Sequence, residues 1–168
     1  MTTEIETLQR LFDEIAEREG APRLEFDDDG AAAAAFGDGM LLFVQCRPEA
    51  PDVVLTVPLG RVPAERAGEV FGRLLAANFY WAGARGATLA LQEESGEVVV
   101  QFREGLEGLS ADRLQAVLEG FLAVASEWKE TLAETVEAAG GGEEDEDAAE
   151  AEDVAAEAEA DAALLIEP

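Results

Sequence analysis

The residue types that usually carry enzyme chemistry are scarce in this chain of 168 residues. It contains no histidine, which removes the usual general base and the commonest metal ligand. Its one cysteine, Cys46, excludes an internal disulfide and thiolate zinc clusters. For Ser95, Ser110 and Ser126 the pattern identifies no base partner. We therefore predict a binding role, no enzyme activity and no metal site.

The remaining motifs for a ligand are incomplete. The glycines at 37 and 39, and those at 83 and 86, do not complete a phosphate-cradling pattern. The acidic run at 143–147 lacks the glycine and the spacing of an EF-hand loop. Carboxylate pairs occur throughout, so none of them is diagnostic. We expect no cofactor. An enzyme with an unrecognised carboxylate site stays an alternative, ranked below the two binding functions described below.

The charge excludes whole classes of partner. The chain has 11 basic and 38 acidic residues, a net charge of −27. Because phosphate groups are bound by Lys and Arg, this surface should repel nucleic acid and anionic lipid, whereas a cationic polypeptide is permitted. The sequence shows neither a leader nor an apolar stretch of about 18 residues, so we expect neither export nor membrane insertion. With Cys46 alone in an apolar run, a reducing cytoplasmic location is expected.

A change in composition divides the chain. Gly140–Gly142 forms a flexible break, and the stretch after it holds 12 of the 38 acidic residues and no basic one. Like charges at i and i+4 oppose the helix that Ala and Glu favour. We predict a folded domain over residues 1–138 and a disordered, acidic Ala/Glu/Asp-rich tail over 139–168. A tail that guards a client site or mimics an acidic surface is the alternative.

The elements follow from hydrophobic periodicity. A capping box of Thr3 and Glu6 opens a first helix that ends before Gly20, and its apolar stripe is Ile5, Leu8, Leu11, Phe12 and Ile15. Three strands follow, at Ala31–Phe36, Met40–Arg47 and Val53–Val57, and short links predict an antiparallel meander. Five alanines favour helix in the first of these strands, but a turn signal on each side favours strand.

The second half of the domain repeats this alternation. Residues 58–62 are predicted as a turn, and Pro63 opens a second helix that runs to about Trp81. Runs at 88–91 and 98–102, joined through Gly96, predict a β-hairpin. Ser110 then caps a third helix of about 25 residues. The predicted fold class is α+β, with the order helix, three-strand meander, helix, β-hairpin, helix, and a twisted antiparallel sheet packed with three helices.

Both faces of this sheet are apolar. Met40, Leu42, Val44 and Cys46 point one way along their strand, while Leu41 and Phe43 point the other way. An antiparallel sheet with one wet face would alternate apolar and polar residues instead. Either the helices are divided between the two faces, or a second subunit or a bound polypeptide covers part of the sheet.

This order of elements resembles the class I type III secretion chaperones, the Tir-chaperone family, over about residues 4–135. No single motif is specific, and the match depends on their order and spacing. The motifs are Leu24-Glu25-Phe26-Asp27 followed by Gly30, Val57–Pro63, Leu74–Asn78, Gly86–Leu91 with Glu93–Val98, and Phe121 with Trp128. Two features depart from the family: the alanine-rich strand, and an acidic tail longer than the family usually carries.

The resemblance implies a cytoplasmic homodimer that binds the N-terminal segment of a secreted effector protein. The effector would be held in extended form, without nucleotide, and kept soluble and secretion-competent. Because relatives with the same fold work outside secretion, the alternative is a same-fold regulatory or protein-interaction module that is not linked to secretion.

The resemblance also suggests site residues, element by element. The second helix and the strand after it would form the dimer contact, through Leu75, Asn78, Phe79, Trp81, Leu89 and Leu91. The client would lie over the first helix and neighbouring strands, at Leu8, Leu11, Phe12, Ile15, Phe26, Leu42 and Val44. For every one of these residues a plain role in the core is the alternative.

Overall fold

A computed structural model describes residues 2–37, 39–93 and 95–137. Its helices and strands are α1 Thr3–Glu19, β1 Ala31–Phe36, β2 Met40–Arg47, β3 Asp52–Arg61, α2 Ala67–Asn78, β4 Thr88–Gln92, β5 Glu97–Gly105 and α3 Ala111–Glu137. The α+β class and the predicted order of elements are confirmed. The predicted tail at 139–168 lies outside the described residues, so the domain boundary and the character of the tail stay predictions.

The five strands form one antiparallel sheet in the order β1-β2-β3-β5-β4. The alanine-rich run is strand β1 and pairs with β2 along its whole length, so sheet pairing overrides its helix propensity. The predicted turn at 58–62 is wrong, because β3 continues to Arg61. A bulge between Pro58 and Gly60 lets the strand continue past Pro58, which has no N–H to donate. In a sequence pattern, a proline at such a position indicates the end of a strand.

Helix ends differ from the prediction by small shifts. The cap of α1 is Thr2 and not Thr3, since the Thr2 hydroxyl accepts a hydrogen bond from the Ile5 amide at 3.4 Å. The predicted second helix is broken: a 3₁₀ turn at Ala64–Arg66 precedes α2, and another at Phe79–Trp81 follows it. The cap of α3 is confirmed, because the Arg113 amide donates to the Ser110 hydroxyl at 3.2 Å.

All three helices pack on the same face of the sheet, which we call the inner face. Its side chains and the apolar stripes of the helices form one hydrophobic core, to which the strands contribute Leu42, Val44, Cys46, Val53, Leu55, Val57, Leu59, Leu89, Val98 and Val100. The opposite, outer face has no side chain in that core, and its Leu41 is 48% exposed. A division of the helices between both faces is therefore wrong for the described residues.

Candidate interaction surfaces

Five large hydrophobic side chains are exposed near the C-terminal end of α2, in the 3₁₀ turn after it and near the end of β4. We call them the aromatic patch: Leu75 (72% exposed), Phe79 (71%), Tyr80 (81%), Trp81 (56%) and Leu91 (41%). Leu75 and Phe79 are four residues apart and so share one side of the helix. The ring centroids of Phe79 and Tyr80 lie 4.7 Å apart at an edge-to-face angle. Four of the five lie within residues 75–81, and a cluster of exposed apolar groups is typical of an interaction surface.

Two residues predicted for the dimer contact instead hold this patch in place. The Asn78 side chain donates from Nδ2 to the Leu89 carbonyl at 2.8 Å and accepts at Oδ1 from the Leu89 amide at 2.9 Å. This pair of bonds ties the end of α2 to β4. Asn78 is half-buried and Leu89 is in the core. The other four residues predicted for the dimer contact have side chains exposed to solvent: Leu75, Phe79, Trp81 and Leu91. The dimer assignment itself stays a prediction.

The segment that carries the aromatic rings has a strained backbone. Tyr80 (φ 52°), Trp81 (φ 53°) and Arg85 (φ 47°) are left-handed although none is glycine. A conformation of this kind costs about 1–3 kcal/mol per residue and persists only where the surroundings impose it. Gly83 lets the same segment pass close to α2, since a Cβ on Gly83 would lie 2.9 Å from Ala77.

Helix α3 fixes the other side of this segment. The Trp128 ring nitrogen donates to the Gly83 carbonyl at 3.2 Å. The Arg85 guanidinium pairs with the Glu127 carboxylate at 2.6 Å. The backbone of residues 78–86 is therefore anchored on both sides, while the rings of the aromatic patch stay in solvent.

The side chains predicted to contact a client lie mainly in the core. Leu8, Leu11, Phe12, Phe26, Leu42 and Val44 are between 0% and 8% exposed, and Ile15 is half-buried. The Phe12 and Phe26 rings pack with their centroids 5.5 Å apart. Burial of this degree gives these residues a packing role, so a client could touch them only after neighbouring side chains moved. Their part in client binding stays a prediction.

A charge network on the outer face was not predicted. Asp52 is 1% exposed, and Arg47 forks onto it with its Nε at 2.8 Å and its Nη2 at 2.7 Å. The Arg103 Nε pairs with the same carboxylate from the other side. The hydrogen bonds from Arg47 hold the pKa of Asp52 below its usual value, against the effect of burial. No sequence signal joins Arg103 to Asp52, because only the β3–β5 register brings them together.

The described residues give no support for metal or thiol chemistry. Within them, no group of three or more Cys, Asp or Glu side chains is arranged to hold a metal ion. Burial raises the pKa of the Cys46 thiol, with Glu4 and Asp52 adding to the effect. A raised pKa leaves the thiol protonated and unreactive. None of the helices in the described part of the chain is long and apolar enough to cross a membrane.

Comparison with known proteins yields one family. The sequence model of the Tir chaperone protein (CesT) family matches residues 10–129, which include most of α1, the entire sheet and the larger part of α3. None of the curated proteins matches the chain in a sequence search.

Solved structures share the fold. A chain of the ExsC–ExsE complex is 24% identical with a TM-score of 0.66, covering 79% of this chain and 97% of that chain. A chain of the HopA1–SchA chaperone–effector complex is 22% identical with a TM-score of 0.64, covering 77% and 98%. A chain of the ExoU–SpcU complex, from the type III secretion system of Pseudomonas aeruginosa, is 20% identical with a TM-score of 0.58, covering 78% and 98%.

Proposed function

Because this chain belongs to the Tir chaperone protein (CesT) family, we propose that it is a type III secretion chaperone. It binds the N-terminal segment of a secreted effector protein and keeps that effector soluble and secretion-competent. The family match over residues 10–129 carries the proposal, and the likeness of the fold to chains of chaperone–effector complexes supports it. The role is binding, without a catalytic step, and the protein acts in the cytoplasm.

The aromatic patch supports a homodimer as the working form. Five large apolar side chains in water are unfavourable, at about 25 cal/mol for each Å² of apolar surface. A second copy offers the same patch, and a two-fold axis would bury both patches against each other. The anchored backbone of residues 78–86 supports this role, because a surface that is already ordered loses little entropy on binding.

The client is an extended segment in this proposal. Strand β1 lies at one edge of the sheet, and although the backbone of Ala31 is bonded to Asp27, the outward backbone groups after Ala31 can pair with an added strand. The side chains of β1 are five alanines and Phe36, which leave little bulk beside that edge. Backbone hydrogen bonds would supply affinity, and alternate side chains of the client would supply specificity.

A tagged pull-down from the native cytosol, followed by mass spectrometry, tests the function. We expect one dominant protein in stoichiometric amount, retained through its N-terminal region. The tag alone serves as the control for the bait, and the same client lacking its N-terminal segment serves as the control for the binding region. A clean dimer without a partner, or a scatter of unrelated proteins, would contradict the chaperone function and favour a same-fold regulatory module.

A further inference from the structure

The outer face of the sheet is an open surface with an apolar part. Leu41, Phe43 and Val54 point outward from β2 and β3, and Val99 points outward from β5. Leu41 is exposed, Phe43 and Val54 are half-buried, and Val99 is buried. None of the four belongs to the core that the helices form. The face therefore carries apolar side chains, with the polar pair Thr56 and Gln101 among them, and has no covering layer among the described residues.

The charge network lies at one end of this apolar surface. Arg103 pairs in register with Val54, and Asp52 is two residues before Val54 on the same strand. On the outer face, two successive outward positions of β3 therefore each have an arginine beside them: Asp52 has Arg47 on β2, and Val54 has Arg103 on β5. Outward side chains of an extended peptide are spaced in the same way, at every second residue.

The network has an excess positive charge. Two guanidiniums share the single carboxylate of Asp52, which accepts both Arg47 contacts and the Arg103 contact. The Arg47 and Arg103 side chains are still 44% and 63% exposed. Each guanidinium carries five N–H groups, so donors remain that face the solvent.

A second pair of arginines that share one carboxylate differs from Arg47 and Arg103 in having further acceptors. Arg66 and Arg73 also share one carboxylate, that of Glu69. Both of them, however, donate to Thr135 near the C-terminal end of α3. The negative end of that helix dipole offsets their remaining charge. Arg47 and Arg103 have no such second acceptor in the described part of the chain.

We propose that the outer face docks an extended client segment whose carboxylate side chain binds Arg47 and Arg103. Apolar side chains of the same segment, at further two-residue steps from the carboxylate, lie on Val54, Phe43 and Leu41. The planar guanidinium suits a carboxylate because two parallel N–H groups match its two oxygens. The source of the segment rests on the proposed function, since it is the effector that a chaperone would hold.

Binding of a client carboxylate is opposed by the net charge of the chain, which is −27. In about 0.15 M salt the Debye length is about 8 Å, so repulsion from distant carboxylates is screened while a direct contact is not. An acidic peptide that binds this protein at physiological salt therefore reports a local cationic site.

Three synthetic peptides test the proposal without knowledge of the client. Each alternates valine with threonine over twelve residues, carries a dye, and differs only in one central residue, which is Glu, Gln or Lys. In 0.15 M salt we expect the Glu peptide to bind about five-fold more tightly than the Gln peptide, as one exposed charge pair allows, and the Lys peptide to bind most weakly. Equal affinities for the Glu and Gln peptides, or no binding of any peptide, would overturn it.

Variants of the protein locate the site. Arg103→Gln should abolish the preference for Glu over Gln, and Arg103→Lys should restore part of it. The matched control is Arg113→Gln, because Arg113 is as exposed as Arg103 but lies on α3, where it pairs with Glu104 at 3.2 Å. Arg47 still holds Asp52 in Arg103→Gln, and an unchanged melting temperature would verify the fold. A preference that persists in Arg103→Gln would overturn the site.

The client recovered in the pull-down separates this inference from the proposed function. A client that binds wild type and Arg103→Gln equally would overturn the docking face and leave the chaperone function standing. Absence of any client, together with a Glu preference in the peptides, would contradict the chaperone function and leave the carboxylate-binding face standing.

Discussion

At the scale of single residues, Asp52 is the most deeply buried carboxylate of the described residues. It is buried under two arginines that connect β2, β3 and β5. A buried charge is tolerated only when it is paired and hydrogen-bonded, and Asp52 meets both conditions. Most of the other ion pairs of the described residues are exposed and contribute little to stability.

Asp52→Asn should lower the free energy of unfolding by about 1–2 kcal/mol at pH 7, because it removes charge-assisted hydrogen bonds from a buried group. The pKa of Asp52 is lowered in the folded state, chiefly by the Arg47 hydrogen bonds. Its stabilising effect is therefore complete above the unfolded pKa of about 3.9 and is lost as the pH falls through the folded pKa. Urea titrations of both proteins between pH 7 and 3 measure this difference.

The control for that prediction is Asp112→Asn. Asp112 pairs with Arg18, but its side chain is 82% exposed, so its loss should leave the free energy of unfolding nearly unchanged at every pH. A difference between wild type and Asp52→Asn that stayed constant down to pH 3 would show that packing, and not charge, explains the effect.

At the scale of elements, the sequence predicted the order of helices and strands but not which apolar faces are covered. The stripe of α1 and the two-residue alternation of β2 are set by local periodicity, so both elements were found. Whether Phe12 meets the core or a partner depends on where another element packs, and periodicity does not contain that information. Pro58 and Gly60 were misread because a bulge inside a strand has the same composition as a turn.

The aromatic patch shows the same limit. The helical pattern of α2 continues through Phe79, but the backbone at Tyr80 is left-handed, so the ring of Tyr80 lies in solvent. The residue pattern offered the run Phe79-Tyr80-Trp81, and the family resemblance placed Phe79 and Trp81 at a contact between two copies. Its composition alone does not distinguish a core from an interface, because aromatic residues are common in both.

Phe12 tests whether α1 is a core helix. Phe12→Ala should lower the free energy of unfolding by about 3–5 kcal/mol, because it leaves a cavity beside Phe26. Phe12→Asp should abolish cooperative unfolding, since it buries an unpaired charge. Circular dichroism and chemical denaturation measure both effects. A Phe12→Asp protein that is folded and dimeric but weak in client binding would instead restore the client contact predicted from the sequence.

Phe79 tests the dimer surface. Phe79→Glu should give a folded monomer, because the exposed ring contributes nothing to the core of one chain but would be buried between two copies. Light scattering measures the mass, and circular dichroism checks the fold. Leu41→Glu is the matched control, since Leu41 is exposed on the outer face and away from α2; it should remain a dimer. An unchanged mass for Phe79→Glu would contradict the placement of the contact.

At the scale of the whole molecule, charge opposes self-association while the aromatic patch favours it. Two chains of charge −27 repel each other, and the repulsion weakens as salt shortens the Debye length. Hydrophobic contacts do not weaken with salt in this range. The balance of the two effects therefore has a sign that can be measured.

Dimer affinity should rise between 0.02 and 0.3 M sodium chloride, which is the opposite of an interface held by ion pairs. Sedimentation equilibrium on the full chain gives the dissociation constant at each salt concentration. A chain ending at Gly142 is the control: it lacks 12 of the 38 acidic residues, so the same change in salt should strengthen its dimer by a smaller factor. A dimer that weakens with salt would mean that oppositely charged side chains, and not the apolar side chains of the aromatic patch, hold the two copies together.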